Sequence, residues 1–292
     1  MAAPGNTPFL ETVCDIDQLD AEAVLANTDQ FLQDYVLRRR PVLVRNWLAA
    51  DPAVSHYARQ WKRKTLLKAF GSTLWKVASI PYSANYLRQQ PSEMTLREFV
   101  RANIDGARRD RSLDASGNGR NEEGGSGRVD SDDSTGGEGE GNGEGVPNYI
   151  FASWFQPGSR RGPARDITAN FSSSPSFMRS FEIMHATQLY LGPPGSGAPW
   201  HYHHAAWNLL GYGKKAWLVV PPKRAAFSSK SARQCFRDDA PMMEDNGSHP
   251  VWRCVQQAGD LIVMPEGWAH TTYNLRTSIG IAREFLEMSI FQ

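Results

Sequence analysis

Five of the seven histidines of this 292-residue chain fall in its last third, and four of them, His201, His203, His204 and His270, lie in or beside its β-prone segments. Neutral imidazole is the commonest protein ligand for transition metals. His201 and His203 are two positions apart, and residues i and i+2 of a β-strand point to one face. Both rings can therefore reach one ion, while His204 points the other way. His270 follows an apolar segment, DLIVMP, and a turn, PEGW. In a β-barrel, strands far apart in sequence lie side by side, so His270 can complete a three-histidine metal pocket. Three protein ligands leave coordination positions open, which is what catalysis by a metal requires. An H-x-H pair alone is a weak signal, because a single histidine is more often a surface or hydrogen-bonded core residue. Its surroundings must carry the rest.

Those surroundings are rich in short β-prone segments: YIFASW, HATQLYL, PWHYH, AWLVVPP, WRCVQQ, DLIVMP, HTTYNL and SIGIAREF. Gly- and Pro-containing turns separate most of them. This pattern predicts a mainly β fold with flanking helices, a double-stranded β-helix (jelly-roll or cupin-type barrel). Nine tryptophans also favour packed sheets over a helical bundle. Ahead of the barrel, apolar spacing predicts two helices over 17–38 and a further helix over 56–70. PVLVRNW at 41–47 and LWKVASI at 74–80 read as strands, and Thr95 and Glu98 form a capping box opening the helix TLREFVRANI.

From about Asp105 to Gly145 the chain has no aromatic and almost no large apolar residue. Such a segment cannot bury enough surface to offset its ordering entropy and is expected to be disordered. Lengthening a loop from about 5 to about 40 residues costs only roughly 2 kcal/mol in closure entropy, so the fold need not split there. The expected organisation is one domain over 1–292. Residues 1–104 support the barrel, 105–147 are an insertion, and 148–292 form the barrel core.

Composition narrows the function classes. A net charge of +1 gives no global reason to expect nucleic acid or an anionic membrane as partner. The basic run RQWKRKTLLK reads as one solvated helix face. GEGEGNGEG has neither the lysine nor the strand and helix of a phosphate loop. Three cysteines with no C-x-x-C pair argue against a structural zinc module and against a disulfide framework. No apolar run spans a membrane and no leader pattern is visible, so the sequons at Asn170 and Asn246 read as chance and cytoplasm or nucleus is expected.

The stretch 189–222, LYLGPPGSGAPWHYHHAAWNLLGYGKKAWLVVPP, resembles the JmjC family of Fe(II)- and 2-oxoglutarate-dependent oxygenases. So do 258–284, AGDLIVMPEGWAHTTYNLRTSIGIARE, and 39–48, RRPVLVRNWL. The H-x-H form is similar to that of small proteins consisting of a JmjC domain alone. The resemblance implies Fe(II) held by His201, His203 and His270, with 2-oxoglutarate as co-substrate. It places Lys215 on the 5-carboxylate of 2-oxoglutarate, with Asn208 and Tyr190 as further polar contacts. Trp207 and Trp217 are then core, Trp268 packs over His270, and either Thr271 or Thr272 faces the pocket. The family's usual triad is His-x-Asp/Glu…His, and here His203 holds the carboxylate position. An imidazole there adds one unit of charge and shifts metal preference toward zinc, nickel or copper. The expected activity is hydroxylation of a protein side chain, with a protein substrate or partner. The alternatives are a catalytically impaired scaffold that keeps the pocket, and a histone lysine demethylase.

Overall fold

A computed structural model describes residues 14–79, 91–106, 146–152, 171–183, 187–245 and 251–286. The strands pair into two sheets. The larger sheet runs, edge to edge, β1 (Asp17–Asp20), β2 (Val42–Arg45), β12 (Leu261–Met264), β9 (Ala206–Tyr212), β14 (Ser278–Leu286), β7 (Gln188–Gly192), β5 (Tyr149–Ala152), β3 (Leu74–Ala78) and β4 (Ser92–Thr95). The short β6 (Glu182–Ile183) pairs with the end of β14. The smaller sheet is β11 (Trp252–Gln257), β10 (Lys214–Val220), β13 (Ala269–Asn274) and β8 (Gly197–His201). This is the jelly roll expected from the turn-punctuated strands.

The central strands are apolar because both of their faces are covered. All four residues of β12, Leu-Ile-Val-Met, are buried. Ile262 joins Trp217 and Met264 in the layer between the sheets, whereas Leu261 and Val263 pack under the helices of the N-terminal region. That outer layer is built from α1 (Ala21–Ala26), α2 (Thr28–Phe31), α3 (Trp47–Ala50), α4 (Tyr57–Gln60) and α5 (Arg63–Phe70). It buries Trp47, Tyr57 and Trp61 against the larger sheet. The sharp return from β9 to β10 uses Gly213 at φ +100°, a left-handed conformation that a side chain would strain.

The N-terminal element PVLVR is locked to the second barrel motif by charge. Arg45 donates to Asp260 Oδ2 at 2.6 Å and to the Val255 carbonyl at 3.1 Å. Asp260 also accepts from the backbone of Asn46 at 3.2 Å and of Gln257 at 2.8 Å. With the carboxylate so satisfied, the Gly-Asp turn sets the start of β12.

Several local expectations change. Residues 17–20 are a strand, not the start of a helix. Asp17 to Asp20 pair in parallel with Val42 to Arg45, and this ladder overrides the weak helical spacing. Helical structure begins only at Ala21, where Asp20 caps the Glu22 amide. Ala206–Tyr212, absent from the expected strands, is β9, buried between β12 and β14. The capping box of Thr95 and Glu98 is present and opens α6 (Leu96–Phe99). Described chain continues to Gly106 and Asp105 takes a two-pronged bond from Arg63 at 2.6 and 2.7 Å, so the edge of the insertion is ordered. The rest of the expected disordered segment, 107–145, lies outside the described residues, as do Asn170 and Asn246. No helix among the described residues is long and apolar enough to cross a membrane.

The expectation of no disulfide is also overturned. Cys14 and Cys254 are joined across 240 residues of sequence, and Cys235 is buried and free. The bond ties the residues before β1 to β11, beside Trp217. Cys14→Ser is expected to cost about 2–4 kcal/mol of stability. Thermal unfolding with and without reductant checks this: equal midpoints for the variant and the oxidised parent would show that the bond contributes nothing.

Candidate metal centre

His201 ends β8 and lies directly opposite His270 on β13. Between His270 and Thr272 the register slips by one residue, so three steps of β8 face two of β13. Such a bulge re-aims side chains at the rim of a barrel. His203 is not on the strand, as the i, i+2 argument required. The strand stops at His201, and His203 enters from the turn that leads into β9. The turn nevertheless brings it to the same place. The ring centroids of His201 and His270 are 4.3 Å apart, those of His203 and His270 4.9 Å, and those of His201 and His203 5.5 Å. One ligand nitrogen from each ring lies within 4.8 Å of the other two. His204 turns away to Glu266, with Nδ1 to Oε1 at 3.3 Å, and is substantially exposed.

Backbone carbonyls set the tautomers. Nδ1 of His201 faces the Pro199 oxygen at 2.7 Å, Nδ1 of His203 the His204 oxygen at 2.6 Å, and Nδ1 of His270 the Trp268 oxygen at 3.1 Å. A carbonyl can only accept, so each Nδ1 carries the proton and each Nε2 keeps its lone pair for a ligand. Burial lowers the His201 pKa to about 3, assisted by the charge of His203. Burial likewise depresses His270, well below the ordinary range, and His203. All three rings are therefore neutral at physiological pH. Three neutral, carbonyl-oriented imidazoles converging in a buried site are a donor set that fits a divalent transition metal.

Trp217 is core, as expected, and also takes the place over His270 expected of Trp268. Trp217 packs on His270, with centroids 5.4 Å apart. Trp268 stacks instead on Trp252 at 5.0 Å, donates its Nε1–H to the Arg39 carbonyl at 3.1 Å, and reaches His270 only through its own carbonyl. Trp207 is core, as expected. Of the two threonines, Thr272 lines the cavity, while Thr271 bonds the Ala198 carbonyl at 2.8 Å.

Lys215 faces the same cavity from β10 and is 1 % exposed. Its Nζ lies 3.3 Å from the Tyr149 hydroxyl and 3.6 Å above the Tyr190 ring. It has no carboxylate partner among the described residues, and burial lowers its pKa to about 7. A buried amine without a counter-ion is costly and points to an anion that arrives from outside. Tyr190 is thus a cation–π platform, and its hydroxyl donates to Asn208 Oδ1 at 2.5 Å. Asn208 lines the cavity beside it. Sequence reasoning missed Tyr149, Gln188 and Met264, which complete these walls. Tyr149 and Gln188 sit at alternate positions of strands already expected; what was hidden was that β5 and β7 neighbour each other.

Comparison with known proteins agrees with this geometry. Residues 188–285 match the family model described as "JmjC domain, hydroxylase". The chain is 31 % identical over 109 residues to the 2-oxoglutarate and iron-dependent oxygenase JMJD4 of Danio rerio, covering 34 % of this chain and 26 % of that protein. It is 32 % identical over 90 residues to the JmjC domain-containing protein 8 of Homo sapiens, 30 % of this chain and 33 % of the relative. It is 29 % identical over 170 residues to the lysine-specific demethylase JMJ21 of Arabidopsis thaliana, 50 % of this chain and 17 % of the relative. The matched segments thus span a third or less of each relative's own length.

Proposed function

We propose that this chain, whose residues 188–285 match the JmjC domain model, is an Fe(II)- and 2-oxoglutarate-dependent oxygenase acting on a protein side chain. The observation that carries this reading is Lys215, a buried cation with no carboxylate partner among the described residues, in one cavity with three metal-ready imidazoles. The dicarboxylate of 2-oxoglutarate satisfies both needs. One end neutralises Lys215, and the 2-oxo acid end has the two oxygens of a chelate. When bound, the iron and co-substrate would supply a two-electron oxidation in which 2-oxoglutarate and O₂ become succinate and CO₂, one oxygen atom passing to the substrate. The protein's part is to hold and to exclude. Lys215 and Tyr149 hold the distal carboxylate, Tyr190 presses on the amine, and Trp217 and Met264 keep water from the metal side.

A protein substrate is supported by the rim. Tyr202, between two of the histidines, is 41 % exposed and packs at a tilt against Phe227, 48 % exposed, with centroids 4.5 Å apart. An exposed aromatic pair beside a reactive pocket suits a polypeptide more than a small solute. The Cys14–Cys254 bond supports an oxidising compartment rather than the cytosol or nucleus, where thiols are kept reduced. The scaffold reading is favoured by one observation, the imidazole at position 203.

Anaerobic addition of Fe(II) and then 2-oxoglutarate separates the two. The oxygenase gains a weak visible charge-transfer band and forms succinate when oxygen is admitted. Iron-replete protein giving neither is a scaffold. Formaldehyde release from methylated peptides would move the assignment to demethylation.

A further inference from the structure

A divalent ion on three neutral imidazoles keeps its full charge, whereas two imidazoles and a carboxylate leave it with one unit less. Lys215 adds a further cation to the same cavity. The described lining of the cavity holds no carboxylate where position 203 has histidine, and β14 carries one beside it. Ala282 of β14 lines the cavity. Glu284, two residues further along the strand, shares that face. The pairing agrees: Ala282 lies opposite Asn208 and Glu284 opposite Ala206, and both partners on β9 line the cavity. Ala206 is three residues from His203, so Glu284 stands beside the turn that delivers that ring. Gln188, another cavity residue, donates from Nε2 to Glu284 Oε1 at 3.2 Å and holds the carboxylate there.

We propose that Glu284 is the charge-compensating carboxylate of the metal centre, supplying from β14 the negative charge that the H-x-H motif lacks. The inference rests on the metal reading of the three histidines. It makes position 203 a relocation of the carboxylate rather than its loss.

Titration with Co(II), by calorimetry and by the visible absorption of the bound ion, tests this without turnover. Glu284→Gln is expected to weaken Co(II) binding about 10- to 100-fold, the usual cost of removing a group that acts through a ligand. Glu284→Asp, which keeps the charge, should lose markedly less and guards against a folding defect in the amide variant. His203→Asp should restore tight binding in the Glu284→Gln protein and strengthen the parent much less. Unfolding midpoints in chelator verify that the variants fold alike. Unchanged Co(II) affinity in Glu284→Gln, or an equal gain from His203→Asp in both backgrounds, overturns the proposal while leaving the metal centre standing. Failure of the parent to bind Co(II) overturns both.

Discussion

Lys215→Met is expected to weaken 2-oxoglutarate binding by at least about 30-fold and, in the same protein, to raise the unfolding midpoint of the ligand-free state. The two effects have one cause. Lys215 is buried between Tyr149 and Tyr190 with its amine held by a hydroxyl and a ring face. Burial pushes its pKa down to about 7. Methionine has nearly the same length, needs no counter-ion, and fits irregular apolar space. Replacing a buried charge with a hydrophobe of similar volume commonly stabilises by about 1–4 kcal/mol. At about 2–4 °C per kcal/mol for a chain of this size, the rise is measurable. Removing one partner of a buried charge pair costs about 2–5 kcal/mol of binding, or about 30- to several-thousand-fold in 2-oxoglutarate affinity.

The same lysine makes co-substrate binding depend on pH with a definite sign. The free site holds Lys215 with a depressed pKa, and a bound carboxylate stabilises the ammonium. Binding therefore takes up a proton when the pH is above about 7. Affinity is expected to be level below that value and to fall by about tenfold per pH unit above it, as linkage requires. Calorimetry in buffers of different ionisation enthalpy reads the proton directly. A dissociation constant indifferent to pH between about 6.5 and 9 would show that Lys215 does not meet the anion.

What could be seen in the sequence divides along physical lines. His270 was legible because it follows a strand and a turn whose geometry is set by near neighbours, and Lys215 through the resemblance of its G-K-K-A-W turn. His203 was legible for a reason that fails: the strand ends at His201 and a turn carries the ring inward. β9 was hidden because AWNLLGY is buried between two strands and so shows no alternation. The contribution of Tyr149, the disulfide from Cys14 to Cys254 and the packing of Trp217 rather than Trp268 on His270 all depend on which strands adjoin. That order comes from closing the barrel, and no window of sequence contains it. Glu284 belongs with these. Its place is legible only once β14 is laid against β9.

His270→Ala should remove metal binding almost entirely, whereas His204→Ala should leave it unchanged. The contrast follows from geometry, since both residues are histidines of the same strand-rich region. His270 is 3 % exposed, opposes His201 across the β8–β13 ladder, and has its Nδ1 on the Trp268 carbonyl. His204 is turned outward to Glu266. Loss of a group that merely orients a ligand costs about 10- to 100-fold in metal affinity, so loss of the ligand itself should exceed about 100-fold. Stability reports it independently of catalysis. An ion at about 100 times its dissociation constant stabilises the folded parent by about 2.7 kcal/mol, a gain that disappears with the site. The parent and His204→Ala should therefore melt higher with Co(II) than with chelator, and His270→Ala should melt at one temperature in both. A metal-dependent rise that survives in His270→Ala would place the ion elsewhere.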